Sequence, residues 1–328
     1  GYAVLCPEAL AGADNVAAAI AALLRRDECT GKIAALGFGR GGAGALQEAA
    51  EQRVEGAICY GVPGEFALGL APRIGCPLAL HFAEHDPDAP AETVARLKQA
   101  FAGRPEIAIH VYPGARRGFE QPGGADYDRA AAGLAHSRSI ALLRRVIGPR
   151  YDLEALWEAH TRYEFETRDV AATMATMVDD PYVNHVPVMT GGVGARDLAR
   201  FYADHFIPKL PRDTHLVPIS RTIGADRVVD EMLFCFTHDT EIDFMLPGVP
   251  PTGRYVEVPT VAIVGFRGGK LWHEHIYWDQ ASVLVQIGLL DPKGLPVAGR
   301  ESARKLLDET LPSNTLMTRW AESAPQDK

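Results

Sequence analysis

The sequence predicts an α/β fold followed by an α+β fold, because the order of its strand-like and helix-like segments changes once along the 328 residues. Up to residue 148, short apolar segments alternate with alanine-rich ones, which is typical of a parallel sheet covered by helices. After Gly148-Pro149-Arg150, helical segments come first and long strand-like segments follow. We therefore predict domains at residues 1–148 and 151–291 and a C-terminal extension at 292–328.

In the first domain, helices and strands are predicted to alternate. The helices are expected at residues 14–26, 43–52, 91–102 and 127–145, and the strands at 32–36, 56–60, 77–82 and 107–112. Parallel strands need such crossover helices between them.

The second domain begins with helices and ends in an antiparallel run. Helices are predicted at 153–168, 169–178 and 194–206, and extended segments at 182–189, 215–223, 227–237, 240–246, 255–267 and 270–279. Gly268-Gly269 marks a tight hairpin between the last two strands.

The segment Gly37-Phe38-Gly39-Arg40-Gly41-Gly42 lies between a predicted strand and a predicted helix. Strand, sharp turn and helix form the nucleophile elbow of hydrolases, with Ser or Cys at the strained middle position. Gly39 occupies that position and offers no attacking atom. The alternative is an ordinary tight turn of a Rossmann-like unit, because a short glycine motif is weak evidence alone.

Three further segments, Gly1-Tyr2-Ala3-Val4-Leu5-Cys6-Pro7, residues 82–90 and residues 112–119, occur in the order seen in one family. Together with the elbow, they make residues 1–148 resemble the dienelactone hydrolase family of the α/β-hydrolase fold. The resemblance implies Cys-His-Asp triad positions at Gly39, Arg117 and Asp86, of which only the aspartate is kept. It also implies that the sequence starts after a strand and loop that help build the oxyanion hole. We expect a scaffold without acyl-enzyme chemistry.

The second half carries another set of motifs, namely Tyr182-Val183-Asn184-His185-Val186-Pro187, Gly268-Gly269-Lys270-Leu271, Ile276-Tyr277-Trp278-Asp279 and Val285-Gln286-Ile287-Gly288. These resemble the NTF2-like superfamily in its SnoaL-like cyclase and epoxide-hydrolase branches. The resemblance implies a cone of helices on a curved antiparallel sheet. It also implies an acid/base role for Asp279, with Tyr182 and Asn184 beside the substrate. The remaining catalytic Arg and Asp of the epoxide hydrolases are not reproduced in residues 231–234.

Alternation along the last strand gives two faces, since residues two apart point the same way. His273, His275, Tyr277 and Asp279 share one face, and Trp272, Glu274, Ile276 and Trp278 share the other. We predict that the first face lines a pocket, with Asp279 as the proton-transfer group assisted by Tyr277 and His275. Alternatively, this face is solvated or dimer-facing, and Asp279 caps the helix that begins at Gln280.

Metal binding is a weaker interpretation of this face. His273 and His275 could pair with His238 or Asp279, but no third ligand has a recognisable spacing. We predict no metal and no cofactor.

The remaining substrate-binding candidates lie on the first helix and the first strand of the second domain. Trp157, His160, Tyr163 and Glu164 fall on one side of the helix, where Trp157 and Tyr163 are also plausible core residues. Tyr182, Asn184 and His185 complete the predicted binding set.

Composition restricts the partners. The net charge of −9 argues against nucleic acid and anionic membrane surfaces, and no apolar run is long enough to cross a bilayer. The five dispersed cysteines indicate reduced thiols in a cytoplasmic protein. A homodimer is expected through a sheet face with Val229, Phe234, Val261, Ile263 and Trp278.

The sequence therefore favours an enzyme that performs cofactor-independent acid–base chemistry on a small molecule in its second half. A cyclase, isomerase, dehydratase or epoxide hydrolase would fit. Two alternatives are a non-catalytic ligand-binding or assembly protein and an esterase of the dienelactone hydrolase type with unrecognised catalytic residues.

Overall fold

The computed structural model describes residues 2–6 and 13–323. The chain divides into two compact units, Gly1–Arg150 and Tyr151–Lys328, called here the first unit and the second unit. Within the described part of the chain, no helix is both long and apolar enough to cross a membrane.

The first unit is a parallel four-stranded sheet with the strands in chain order. The strands are β1 (Ala34–Phe38), β2 (Gly56–Tyr60), β3 (Leu78–His85) and β4 (Ile107–Arg116), and the helices are α1 (Ala13–Leu24), α2 (Arg40–Ala50), α3 (Gly64–Leu70), α4 (Ala91–Ala100) and α5 (Arg129–Val146). The predicted α/β class is confirmed, and α3 is an addition to it.

Helices cover both faces of this sheet. Along β2, Ala57 and Cys59 pack in one core with residues of α2 and α4, whereas Ile58 and Tyr60 pack in a second core with residues of α5. Every residue of β2 is buried. A strand that is buried on both faces needs the continuous apolar run that this segment has.

The second unit is a six-stranded mixed sheet with the order β6-β5-β10-β9-β8-β7. Its strands are β5 (Met177–His185), β6 (Thr190–Val193), β7 (His215–Ile223), β8 (Arg227–Thr237), β9 (Tyr255–Arg267) and β10 (Lys270–Trp278). Its helices are α6 (Leu153–Phe165), α7 (Val170–Ala175), α8 (Gly194–Arg200), α9 (Gln280–Gln286) and α10 (Glu301–Leu307). Strands β5 and β10 are parallel, and the other neighbours are antiparallel. Helices followed by a largely antiparallel sheet confirm the α+β prediction.

Helix α6 packs against the sheet and carries polar groups into the core. The carboxylate of Asp152 caps its first turn by accepting from the backbone N–H of Ala155 at 2.9 Å. The buried positions are Leu153, Trp157, His160 and Glu164. Their spacing of three and four residues is one face of a helix, so the sequence itself brings a histidine and a glutamate inside.

Two local predictions are wrong. Residues 240–246 form turns instead of a strand, although Ile242, Phe244, Met245 and Leu246 are buried. A short apolar run alone does not distinguish a strand from a buried loop. Residues 177 and 178, predicted to be helical, begin strand β5.

The predicted dimer face is divided between the two sides of the sheet. Phe234 and Trp278 belong to the buried core of the second unit, whereas Val229, Val261 and Ile263 are half-buried. The homodimer stays a prediction. Helix α10, within the predicted extension, packs on β9 and buries Ala303 against Leu233 and Cys235.

Candidate active site

The elbow in the first unit keeps the backbone shape of a nucleophile turn. Gly39, between β1 and α2, has φ 54° and ψ −115°, a region that residues with a side chain enter only under strain. Its neighbours are closely packed, since a Cβ on Gly37 would lie 2.0 Å from the carbonyl oxygen of Gly41. At Gly39 itself nothing lies within 4 Å of an added Cβ. The turn therefore presents an open position that holds no side chain.

The other two triad positions contain an ion pair. The Arg117 guanidinium pairs with Asp88, approaches Asp86 to 3.9 Å and donates to the carbonyl oxygen of Gly61 at 3.2 Å. Acceptors around the guanidinium, Asp88 first, raise the pKa of Arg117 further. A permanently protonated guanidinium cannot take a proton from a nucleophile. The described residues at this site thus include neither the nucleophile nor the base of the triad.

The catalytic residues predicted on β10 lie on the side of the sheet away from the interior. The ring of His275 contacts Tyr182 edge-on at 5.4 Å, and Tyr277 is 42% exposed. The Asp279 carboxylate accepts from the backbone N–H of Ala281 at 2.9 Å and so caps α9. The prediction that these three residues line the pocket is wrong, and the capping alternative describes Asp279.

The cause of this error is the choice of face. Alternation along β10 grouped Glu274, Ile276 and Trp278 together, and the structure agrees, but that group faces inward. A register shift between Leu271 and His273 marks a bulge at the start of the strand. Alternation states which residues share a face, and only the packing partner decides which face is inside.

A cavity lies inside the second unit between α6, the turn after α8 and the inner face of the sheet. Its empty volume is ≈ 590 Å³, counted to the open mouth, and ≈ 60 Å³ admits the centres of water-sized molecules. One water needs about 10–15 Å³ by that measure, so several waters or a small ligand fit. The walls are mostly apolar and include the aromatic residues Trp157, Phe165, Phe206, Phe234, Phe244 and Trp278.

Ionisable side chains converge on this cavity. The Nε2 atom of His160 is 3.1 Å from Oε1 of Glu164 and 3.1 Å from Oε1 of Glu274. The hydroxyl of Tyr202 is 3.5 Å from the same nitrogen and interacts with both carboxylates. We call these four residues the His160 cluster. All four are buried, and Glu164, Glu274 and Tyr202 also line the cavity.

Different elements hold the His160 cluster in place. His160 and Glu164 are one turn apart on α6, and Glu274 is on β10. Tyr202 lies in the π-helical turn Phe201–Phe206 that continues α8. π-Helical turns are rare in proteins, and a large share of those that occur lie at functional sites.

Burial and mutual attraction shift the protonation of the His160 cluster. Burial alone would lower the pKa of His160, but attraction to Glu164 and Glu274 outweighs it and raises the pKa to about 10. Burial raises the pKa of Glu164, and the neighbouring His160 opposes this. Burial also holds the pKa of Tyr202 well above its ordinary value. Tyr202 is therefore a hydrogen-bond donor at neutral pH.

One carboxylate oxygen of the His160 cluster forms an ion pair with His160 at 3.1 Å but lacks a hydrogen bond. His160 Nε2 carries a single hydrogen, and its hydrogen bond goes to Glu164. Oε1 of Glu274 is buried and, among the described residues, accepts no hydrogen bond. A buried carboxylate oxygen without a donor is costly, which marks it as a position for a ligand or a proton.

Two of the five predicted binding residues line the cavity. Trp157 and His185 line the cavity, whereas Tyr163, Tyr182 and Asn184 are half-buried and are not among the cavity-lining residues. Burial lowers the pKa of His185 to about 4, so its imidazole is neutral.

Sequence reasoning missed the buried position of Glu274, which stood on the face judged external. The available signal was a glutamate alternating with Ile276 and Trp278 on one face of the strand, together with His160 and Glu164 at helical spacing. Buried charged residues of this kind require partners.

The fold and the site define the class of each unit: a hydrolase-like parallel sheet whose elbow carries no side chain, and a six-stranded mixed sheet with helices that enclose a cavity. Residues 1–147 match the model of the dienelactone hydrolase family. The predicted resemblance of the first half is thereby confirmed.

Among curated proteins, a putative carboxymethylenebutenolidase of Azospirillum brasilense is 38% identical over 89 residues, which cover 27% of this chain and 38% of that protein. The carboxymethylenebutenolidase of Pseudomonas putida is 30% identical over 134 residues, 40% of this chain and 57% of that protein. The chain thus spans between about a third and three fifths of the length of these relatives.

Among solved structures, a putative SnoaL-like polyketide cyclase from Jannaschia sp. CCS1 is 20% identical, with a TM-score of 0.33 and coverage of 44% of this chain and 99% of that chain. A putative polyketide cyclase from Acidithiobacillus ferrooxidans is 18% identical, with a TM-score of 0.35 and coverage of 41% and 93%. These proteins are of the kind that the second resemblance names.

Proposed function

We propose that the second unit is an enzyme domain that moves protons on a small, largely apolar molecule, and that the first unit is a scaffold without hydrolytic chemistry. The observation that carries this proposal is the pair of buried glutamates on one imidazole at the edge of an aromatic cavity. Apolar cavities with a few convergent polar groups are the usual form of small-molecule sites.

In this proposal Glu274 is the general base. The Glu274 side chain lines the cavity, and its Oε1 atom pairs with His160 at 3.1 Å but accepts no hydrogen bond from the described residues, so the carboxylate can take a substrate proton. Glu164 is less suited to this role, because its carboxylate accepts the hydrogen bond from His160. His160 holds both carboxylates in position.

Tyr202 is the donor that stabilises the charge formed when the proton leaves. A buried hydroxyl with a raised pKa stays protonated and can hydrogen-bond to a developing oxyanion in a site of low polarity. Base and donor on one cavity wall suit enolisation, the shared step of isomerisation, dehydration and aldol-type cyclisation. The reaction type within this group remains part of the proposal.

The test is solvent deuterium exchange, which needs no knowledge of the natural substrate. A panel of small cyclic ketones and enones is incubated with the protein in D₂O containing EDTA, and deuterium uptake next to the carbonyl is followed by NMR. We expect uptake above background for at least one compound, and a loss of about 10²–10⁴-fold in Glu274→Gln.

The matched control is Glu166→Gln, which changes an exposed glutamate just after α6. It is expected to exchange like the unmodified protein. If compounds that bind in the cavity show no exchange, the domain is a binding module. If Glu274→Gln exchanges normally, the assignment of the base is wrong.

A further inference from the structure

Three potential metal ligands meet in the His160 cluster. The ligand atoms of His160, Glu164 and Glu274 all lie within 4.8 Å of one another, and all three side chains are buried. They come from a helix and a strand, which hold ligands more rigidly than loops do. The histidines considered from the sequence, His273 and His275, flank Glu274 on β10 and are not among the cavity-lining residues.

The distances suit coordination as well as they suit hydrogen bonds. Zinc binds imidazole nitrogen at about 2.0–2.1 Å and carboxylate oxygen at about 2.0–2.2 Å. Two ligand atoms 3.1 Å apart, as His160 Nε2 is from each glutamate, then subtend an angle of roughly 90–100° at a shared ion. No large movement is needed to place an ion between them.

The hydrogen bonds of Thr176 fix the tautomer that a metal requires. The Thr176 hydroxyl donates to the carbonyl oxygen of Thr173 at 2.6 Å, so its oxygen is left to accept from Nδ1–H of His160, also at 2.6 Å. With one proton held on Nδ1, an ion that displaces the Nε2 proton can bind the lone pair of that nitrogen. This outer contact is the arrangement that orients histidine ligands in metal sites.

An independent feature points to a missing ligand at the same place. Oε1 of Glu274 is buried beside His160 and has no hydrogen-bond donor among the described residues. Two buried carboxylates face one imidazole, and a divalent cation would balance both. Glu164 and Glu274 also border the cavity, which gives an entry path and space for a water or substrate as a further ligand.

We propose that His160, Glu164 and Glu274 form a binding site for a divalent transition-metal ion of the zinc type. Nitrogen plus carboxylate ligands favour such an ion over Mg²⁺ or Ca²⁺, which prefer oxygen alone. This proposal goes beyond the proposed function and does not depend on it. If both hold, the ion occupies the oxygen that accepts the substrate proton, so zinc inhibits the metal-free proton transfer.

The experiment measures zinc directly in the full chain, without a substrate. The protein is freed of metal, dialysed against Zn²⁺, and assayed for bound zinc by elemental analysis and for affinity by calorimetry. We expect one ion per chain and a raised Tm. Glu274→Gln and Glu164→Gln should each weaken binding at least about 10-fold, and Thr176→Val by about 10–100-fold.

The matched control is His205→Gln, which removes an exposed histidine 3.0 Å from Asp243 and therefore an adventitious surface site. It should leave binding unchanged. Since a cluster variant could fail to fold, the zinc position is also determined in the unmodified protein by anomalous scattering. A peak between the three ligands supports the proposal. No bound zinc, or zinc only at His205, overturns it, and neither result bears on deuterium exchange in EDTA.

Discussion

The two units differ in what they have kept from an active site. The first unit keeps the backbone of a nucleophile elbow, with Gly39 strained and open, but holds only a half-exposed Arg117 where a base would be needed. The second unit buries His160, Glu164 and Glu274 beside a cavity. A recognisable motif can thus persist as shape alone, whereas buried charge is costly and marks a candidate functional site.

The largest effect on activity is expected when variants on the inner and outer faces at β10 are compared. Glu274→Gln should lower deuterium exchange about 10²–10⁴-fold, because it removes the proton acceptor inside the cavity. Asp279→Asn should keep full exchange, since Asn also caps helices and the side chain lies outside the cavity. The two rates are measured by NMR under the same conditions. Equal losses of deuterium exchange in both variants would contradict the assignment of Glu274 as the base and favour a catalytic role for Asp279.

The second contrast is between the ion pairs of the two units. His160→Leu leaves two buried glutamates unpaired and should cost about 3–5 kcal/mol of unfolding free energy. In the first unit, Arg96→Leu breaks a pair with Glu65 whose side chains are 53% and 66% exposed, and should cost at most about 1 kcal/mol.

Urea unfolding can separate these two effects. All four tryptophans, Trp157, Trp272, Trp278 and Trp320, belong to the second unit, so their fluorescence reports on it alone. Far-UV circular dichroism follows the whole chain. A His160→Leu protein with an unchanged fluorescence transition would show that the cluster is not an energetic unit.

His160 in the second unit and His81 in the first unit should make stability depend on pH with opposite signs. His160 has its pKa raised to about 10, so the folded second unit binds one more proton than the unfolded chain above pH 6.5. The contribution of His160 to the free energy of unfolding is complete below pH 6.5 and is lost as the pH rises through about 10. The expected slope is about 1.4 kcal/mol per pH unit. Fluorescence-detected urea unfolding at pH 7 and pH 9, in EDTA, measures it, and His160→Leu should flatten it.

In the first unit, burial lowers the pKa of His81 to about 3, and the nearby His110 and Arg138 add to the effect. Its neutral ring is held between Tyr112 and Ser139. The folded state here binds fewer protons than the unfolded state, so stability is complete above pH 6.5 and falls as the pH drops towards 3. Dichroism-detected unfolding at pH 7 and pH 5 checks this. Stability that rises on acidification would contradict it.

The smallest effect on activity is expected from placing a nucleophile at the empty elbow position. Gly39→Cys has room for its side chain but no base, so hydrolysis of dienelactones and aryl esters should stay at background. The backbone strain at this position should cost about 1–3 kcal/mol. An ester-directed probe and peptide mass spectrometry test it, and a covalent adduct within residues 1–148 would restore the esterase hypothesis.

The architecture was accessible from sequence because apolar periodicity is local. The patterns that predict strand β2 and the capped helix α6 each lie within a short stretch of consecutive residues. The apolar run 240–246 misled because its burial as turns depends on what it covers.

The active site was less accessible because it depends on packing between distant segments. His160 and Glu164 were visible as one helix face, yet nothing local joins them to Glu274 on β10. The alternation of β10 was predicted correctly, but its inward direction is fixed by α6 and by the turn that carries Tyr202.

The most direct test of the account is a crystal structure of the purified chain with a bound small molecule, either co-purified or taken from the exchange assay. We expect density inside the cavity of the second unit. The carbon atom of the ligand that bears an acidic proton should lie beside the carboxylate of Glu274, and a polar atom should lie beside the hydroxyl of Tyr202. A ligand bound instead beside Asp279 on the outer face, or at the Gly39 elbow, would contradict it.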